Sequence, residues 1–189
     1  MNKTSDYIEY DSALNTGFKL LGDSKKCVIG FYIVFSINSG LRISDVLNIT
    51  HSQLSDDKII IIEKKTKKQR VITVNEIVKK AYGKLVSKLN ELEIKFNDED
   101  YIFISQKNTV FKTQSINALL KTIFNNKRIQ VSSHSLRKSF ARKVYENMNE
   151  SENALVLLSD IFSHSSIAIT RRYLGIRQET ISNVYLALA

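Results

Sequence analysis

A mainly helical α+β fold with a small antiparallel three-stranded sheet is predicted by three features of this 189-residue chain. Apolar residues recur at helical spacing through most of its length. Two β-branched runs, Lys58-Ile-Ile-Ile-Ile-Glu63 and Arg70-Val-Ile-Thr-Val74, lie close together in the middle of it. No proline, low-complexity tract or repeat marks a linker, and a hydrophobic content of 43% suffices for one ordinary core, so a single domain over residues 1–189 is expected.

The elements follow in order. Tyr7 to Leu21 and Cys27 to Ile37 read as helices, and Ser39-Gly40 supplies the stop that a helix C-terminus favours. A short helix from Ser44 to Ile49 leads to the two β-branched runs, which form a hairpin around the strongly basic tip Lys64-Lys65-Thr66-Lys67-Lys68-Gln69. Asn75 can cap a helix that continues to about Leu92. The acidic loop Asn97-Asp98-Glu99-Asp100 precedes a third strand, Tyr101 to Ser105, expected to edge the hairpin. Helices then span Thr113 to Phe124, His134 to Asn147, Glu152 to Phe162, Ile167 to Tyr173 and Gln178 to Leu188.

Composition narrows the function classes. Twenty-eight Lys and Arg against 19 Asp and Glu leave a net charge of +9, which favours a polyanionic partner. The lone Cys27 allows no internal disulfide and no C-x-x-C metal or redox spacing, which agrees with a cytoplasmic protein. The N-terminus lacks an apolar signal core, and no apolar stretch is long enough to span a bilayer. Neither H-E-x-x-H, nor a Walker loop, nor a carboxylate cluster suited to paired Mg²⁺ occurs, which weighs against metal-dependent nucleases and NTPases.

Three short motifs hold the candidate chemistry. His134-Ser-Leu-Arg137 sets an imidazole and a guanidinium on one helical face, after Ser132-Ser133, either of which can cap that helix. Free N–H groups at a helix start attract an anion, and Arg adds a planar fork matched to phosphate oxygens. Gly40-Leu-Arg42-Ile-Ser-Asp45 places another Arg just after a helix-ending Gly, where an Arg is commonly an ion-pair partner, here of Asp45. His164 and Tyr173 stand nine residues apart across a helix start at Ser165-Ser166. Each motif alone is more often structural, and His51 reads as an ordinary surface histidine.

Together, in the order Arg, Lys, H-x-x-R, then His followed nine residues later by Tyr, they resemble the catalytic domain of the tyrosine recombinases, the phage-integrase family, from about Lys25 to Leu174. The resemblance implies a breaking-and-rejoining DNA strand transferase, independent of metal and ATP and without a cofactor, that forms a 3′-phosphotyrosyl intermediate in site-specific recombination or integration of a mobile genetic element. It makes Tyr173 the nucleophile, Arg42 the first catalytic Arg, His134 and Arg137 the H-x-x-R pair, His164 the later His, and Lys65 the counterpart of the mobile catalytic Lys, in a turn that also holds Lys64, Lys67 and Lys68. Double-stranded DNA is the implied partner, with Lys67, Lys68, Arg70, Lys138, Arg142, Lys143, Arg171 and Arg172 expected to track its phosphates.

The same resemblance implies a tetramer on DNA and a monomer or weak oligomer when free, with the helix of residues 178–189 exchanged between protomers. A non-catalytic DNA-binding module of the same fold, and DNA relaxation of the type IB topoisomerase kind, are the alternative readings. Two substitutions depart from the family pattern: Ser163 where Gly usually precedes the His, and Lys138 where a His frequently follows the second Arg. Members usually carry a separate N-terminal helical domain of about a hundred residues that clamps DNA. With Met1 so near the catalytic region, an excised fragment or a minimal member without that domain is expected.

Overall fold

The second helix decides how the chain folds. Cys27 to Ser39 is apolar on every side, and a helix without a polar face is stable only when it is surrounded by protein. A computed structural model, which describes residues 5–125, 129–176, 183 and 185–188, places it at the centre of the core, with Phe31, Ile33, Val34 and Ile37 fully buried.

The described elements run α1 (Tyr10–Leu21), α2 (Cys27–Ser39), α3 (Ile43–Val46), a single 3-10 turn (Ser52–Leu54), β1 (Lys58–Ile62), β2 (Gln69–Thr73), α4 (Glu76–Glu91), α5 (Thr113–Ile123), α6 (Ser133–Asn147), α7 (Glu152–Phe162) and α8 (Ile167–Leu174). They divide into two compact units, Met1–Phe140 and Ala141–Ala189. The helix read from Gln178 to Leu188 lies mostly outside the described residues.

In the first unit α1 crosses α2 where Gly17 meets Gly30. A Cβ on Gly30 would stand 2.8 Å from the Gly17 carbonyl oxygen, so only glycine lets the two backbones approach this closely. α4 covers another side of α2 with Val78, Ala81, Leu85 and Leu89. Its start is fixed by Asn75, whose side chain accepts the Val78 N–H at 2.9 Å, as the sequence predicts. Phe103 stacks on Phe31 with ring centres 5.8 Å apart and meets Tyr32 edge-on.

Among the described residues the sheet has two strands rather than three. β1 and β2 pair antiparallel, Ile60 opposite Val71, but Tyr101 to Ser105 does not join them. Tyr101 instead bridges Thr50, and Ile104 bridges Val110. The reason lies in its side chains. A pleated strand sends successive residues to opposite faces, yet Ile102 and Phe103 both enter the core. The chain therefore bends, and the Ile104 N–H closes a three-residue turn onto the Ile102 carbonyl at 3.0 Å.

His51 also departs from expectation. It is buried rather than superficial, stacked on Phe96 with ring centres 4.0 Å apart and joined through Nδ1 to the Tyr82 hydroxyl at 2.8 Å. Among the described residues no helix is long and apolar enough to cross a membrane.

Two glycine substitutions test the packing. Gly30→Ala is expected to cost about 1–3 kcal/mol of stability, because the added methyl meets backbone that cannot move aside. Gly83→Ala, on the solvent side of α4 with open space around the position, is expected to add about 0.5–1 kcal/mol. Urea unfolding of both variants reads the two signs.

Candidate active site

Gly40 sets the first part of the site. It ends α2 in the left-handed conformation, at φ +59°, and a side chain there would strike the Phe140 ring. The reversal buries Leu41 and puts Arg42 at the N-terminal boundary of α3. Arg42 Nη1 lies 2.7 Å from Oε2 of Glu63, the residue that follows β1. Arg70, from β2, donates Nη1 to Glu63 Oε1 at 3.4 Å and Nη2 to the Ser39 carbonyl at 2.9 Å.

Glu63 is only 1% exposed, and burial alone would push its carboxyl pKa up. The Thr66 hydroxyl together with Arg42 and Arg70 outweighs burial and holds the group below the usual carboxylate value. For Arg70 the largest influence is burial, which lowers its pKa; Glu63 opposes that shift.

The hairpin tip is tied down around Lys65. The Lys64 N–H donates to Asp45 Oδ1 at 2.9 Å, and the Lys64 ammonium reaches Asn48 Oδ1 at 3.1 Å. Thr66 Oγ1 donates to Glu63 Oε2 at 2.6 Å, and the Lys67 N–H to the Glu63 carbonyl at 2.9 Å. Lys65, Lys67 and Lys68 are exposed. The charge of Lys65 acts on His134.

α6 brings the H-x-x-R pair. Ser132 caps it by accepting the His134 N–H at 3.1 Å, while the Ser133 N–H goes to Asn117 Oδ1 at 2.8 Å. Arg137 is buried, and its Nη1 donates to the Gly40 carbonyl at 2.5 Å, so the residue that turns the chain toward Arg42 also holds Arg137. The imidazole of His134 has its pKa lowered by desolvation first and then by the charges of Arg137, Lys138, Arg42 and Lys65. Arg42, Lys65, His134 and Arg137 thus share one neighbourhood within the first unit.

The second unit brings together the other two residues. α7 is capped by Ser151 and packs Leu155, Leu158 and Phe162 inward; the Arg171–Glu152 ion pair ties α8 to it. Ser163 ends α7 with φ +52° and ψ +46°, left-handed geometry that explains why glycine suits this place. His164 Nδ1 lies 2.9 Å from Thr170 Oγ1. Tyr173 stands edge-on to both Phe162 and His164, with ring centres 5.4 and 5.6 Å away. Arg142 pairs with Glu146 along α6, and Arg172 is exposed.

The model of the phage integrase family matches residues 11–179. The chain belongs to the phage integrase family. The chain is 29% identical over 156 residues to the probable integrase/recombinase YoeC of Bacillus subtilis, covering 82% of this chain and 81% of that protein. It is 23% identical over 192 residues to tyrosine recombinase XerC of Leptospira interrogans, covering 98% of this chain but 56% of the relative. Against XerC, then, the chain spans little more than half the length.

Among solved structures, the chain superposes on XerA recombinase with a TM-score of 0.70 at 22% identity, covering 99% of this chain and 66% of that one. It superposes on the Tn1549 transposon integrase in complex with circular intermediate DNA with a TM-score of 0.68 at 18% identity, covering 91% and 62%. At these identities the likeness is one of fold.

Sequence reading missed Glu63, Thr66 and Thr170, which touch the candidate residues. Glu63 left a trace, as the lone acid between an isoleucine run and a lysine run.

The left-handed Ser163 yields a prediction. Ser163→Gly removes the clash between Cβ and the following carbonyl and is expected to raise stability by about 1 kcal/mol. A rise in thermal midpoint, with an unchanged circular dichroism spectrum, checks it.

Proposed function

We propose that this chain is the catalytic part of a site-specific DNA recombinase or integrase that cuts one strand with Tyr173 and keeps the break as a 3′-phosphotyrosine. The observation that carries this reading is the meeting of Arg137 and Arg42 at the Gly40 turn, whose carbonyl takes Arg137 two residues before Arg42, with His134 one turn before Arg137 on α6, in a chain of the phage integrase family. A phosphodiester in transit gathers negative charge on its non-bridging oxygens, and such a site neutralises it in place.

The roles follow from group chemistry. Arg42 and Arg137 bind the two non-bridging oxygens, and His164 adds a further N–H. The Tyr173 oxygen forms its bond to phosphorus as the bond from phosphorus to the 5′ oxygen breaks. A phenol free in water has a pKa of about 10, so it must lose its proton during attack; that proton passes to His134, and Lys65 gives a proton to the departing 5′ oxygen. One phosphate ester replaces another, so rejoining is the reverse of cutting and needs no ATP. Arg137, Lys138, Arg42 and Lys65 supply the charge neutralisation for which other enzymes use Mg²⁺.

Double-stranded DNA is the proposed substrate, bound through Lys67, Lys68, Arg70, Lys138, Arg142, Lys143, Arg171 and Arg172 as phosphate contacts. A tetramer on DNA, from a free monomer or weak oligomer, is the proposed assembly. It lets two duplexes exchange strands.

A nicked duplex that loses its leaving strand after cleavage tests the nucleophile. In EDTA, the wild-type chain is expected to give a denaturation-resistant protein–DNA adduct, and Tyr173→Phe to give none while still binding DNA. Salt-sensitive binding without an adduct in the wild type would instead favour a binding module.

The proton acceptor is tested by pH. A base must be neutral to accept a proton, and lowering its pKa below 6.5 keeps it neutral further into acid. Single-turnover cleavage is therefore expected to stay level from about pH 8 down through neutrality and to fall only below His134's ordinary pKa of about 6.5. His134→Gln should abolish that acid limb.

A further inference from the structure

Glu63 is buried as deeply as the hydrophobic core, yet it faces cations on two sides. Its Oε2 takes Arg42 at 2.7 Å and the Thr66 hydroxyl at 2.6 Å, and its Oε1 takes Arg70 at 3.4 Å. Its backbone closes the turn that carries Lys65, donating to the Lys68 carbonyl at 3.0 Å and accepting the Lys67 N–H at 2.9 Å. One residue thereby holds both an arginine proposed to grip the phosphate and the loop bearing the lysine proposed to release the 5′ oxygen.

Arg42 is attached by a long flexible stem at the edge of a one-turn helix, which does little to fix its guanidinium. The contact with Glu63 occupies Nη1 and leaves the planar fork a fixed orientation before DNA arrives. A neutral partner in place of Glu63 would lose the orienting charge.

We propose that Glu63 is a positioning residue of the strand-transfer site, acting through Arg42 and through the Thr66 contact that sets the Lys65 loop. It touches no reacting atom in the reaction assigned above, on which this proposal rests.

The experiment is a double-mutant cycle on single-turnover cleavage of the nicked duplex, with Glu63→Gln, Arg42→Ala and the pair. Acting through Arg42, Glu63→Gln is expected to slow cleavage about 10- to 100-fold in the wild type and by less than about twofold in the Arg42→Ala background. A purely structural role predicts equal losses in both backgrounds, and that result overturns the proposal, as does a Glu63→Gln rate equal to wild type. Glu63→Asp keeps the charge and shortens the reach, so it is read in the same cycle if the Gln variant unfolds.

A second readout does not depend on cleavage. In the DNA-free protein, nuclear magnetic resonance relaxation of the Arg42 side-chain Nε–H is expected to report an ordered group that becomes mobile in Glu63→Gln, while Arg137 stays ordered. An Arg42 equally ordered in both proteins overturns the proposal. If Arg42→Ala cleaves at the wild-type rate, or no adduct forms, the functional assignment fails, and the relaxation result still decides whether Glu63 positions Arg42.

Discussion

The site of the first unit hangs on the backbone at Gly40. Its left-handed conformation ends the buried helix α2, its missing side chain makes room for Phe140, and its carbonyl receives Arg137. Two residues later the chain presents Arg42. The guanidinium groups come from positions 95 apart in sequence, yet both are referenced to one turn (42 and 137). A glycine can do this because φ near +60° costs it almost nothing, whereas any side chain would meet both the backbone penalty and an aromatic ring. The turn is anchored in the core by α2, which has no polar face to turn toward water.

Gathering like charges near a protein core is unfavourable, and the structure shows how the cost is contained. Glu63 and Asp45 are buried acids that meet the hairpin and Arg42 from the protein side, leaving excess positive charge toward the surface where Lys65, Lys67 and Lys68 are exposed. His134, among these cations, has its pKa lowered by burial first and then by the charges of Arg137, Lys138, Arg42 and Lys65, so the field that attracts a phosphate adds to what burial begins in keeping the proton acceptor neutral.

Much of this was legible in the sequence because its signals are local. Helical periodicity, the Asn75 cap, the Ser39-Gly40 stop and the spacing of His134 and Arg137 each depend on residues within a turn or two of one another. The failures are non-local. Tyr101 to Ser105 has strand-like composition, but the bend that buries both Ile102 and Phe103 is imposed by the aromatic cluster around Phe31. His51 looks superficial in a polar stretch and is buried because Phe96 and Tyr82, distant in sequence, close over it. Glu63 reads as a strand-end acid until Arg42 and Arg70 are brought to it by the fold.

The second unit poses a different problem, since α8 has eight residues and a helix of that length is not stable by itself in water. Its order comes from packing: Leu174 and Thr170 are buried, and α8 lies against α7. Rings orient Tyr173: Phe162 and His164 each meet it edge to face, an arrangement favoured by the quadrupole of an aromatic ring. Those contacts belong to the ring carbons and not to the phenol oxygen. Phenylalanine at 173 keeps both, so loss of the hydroxyl can be separated from loss of the structure that presents it, and the Thr170 contact still holds the His164 imidazole in place.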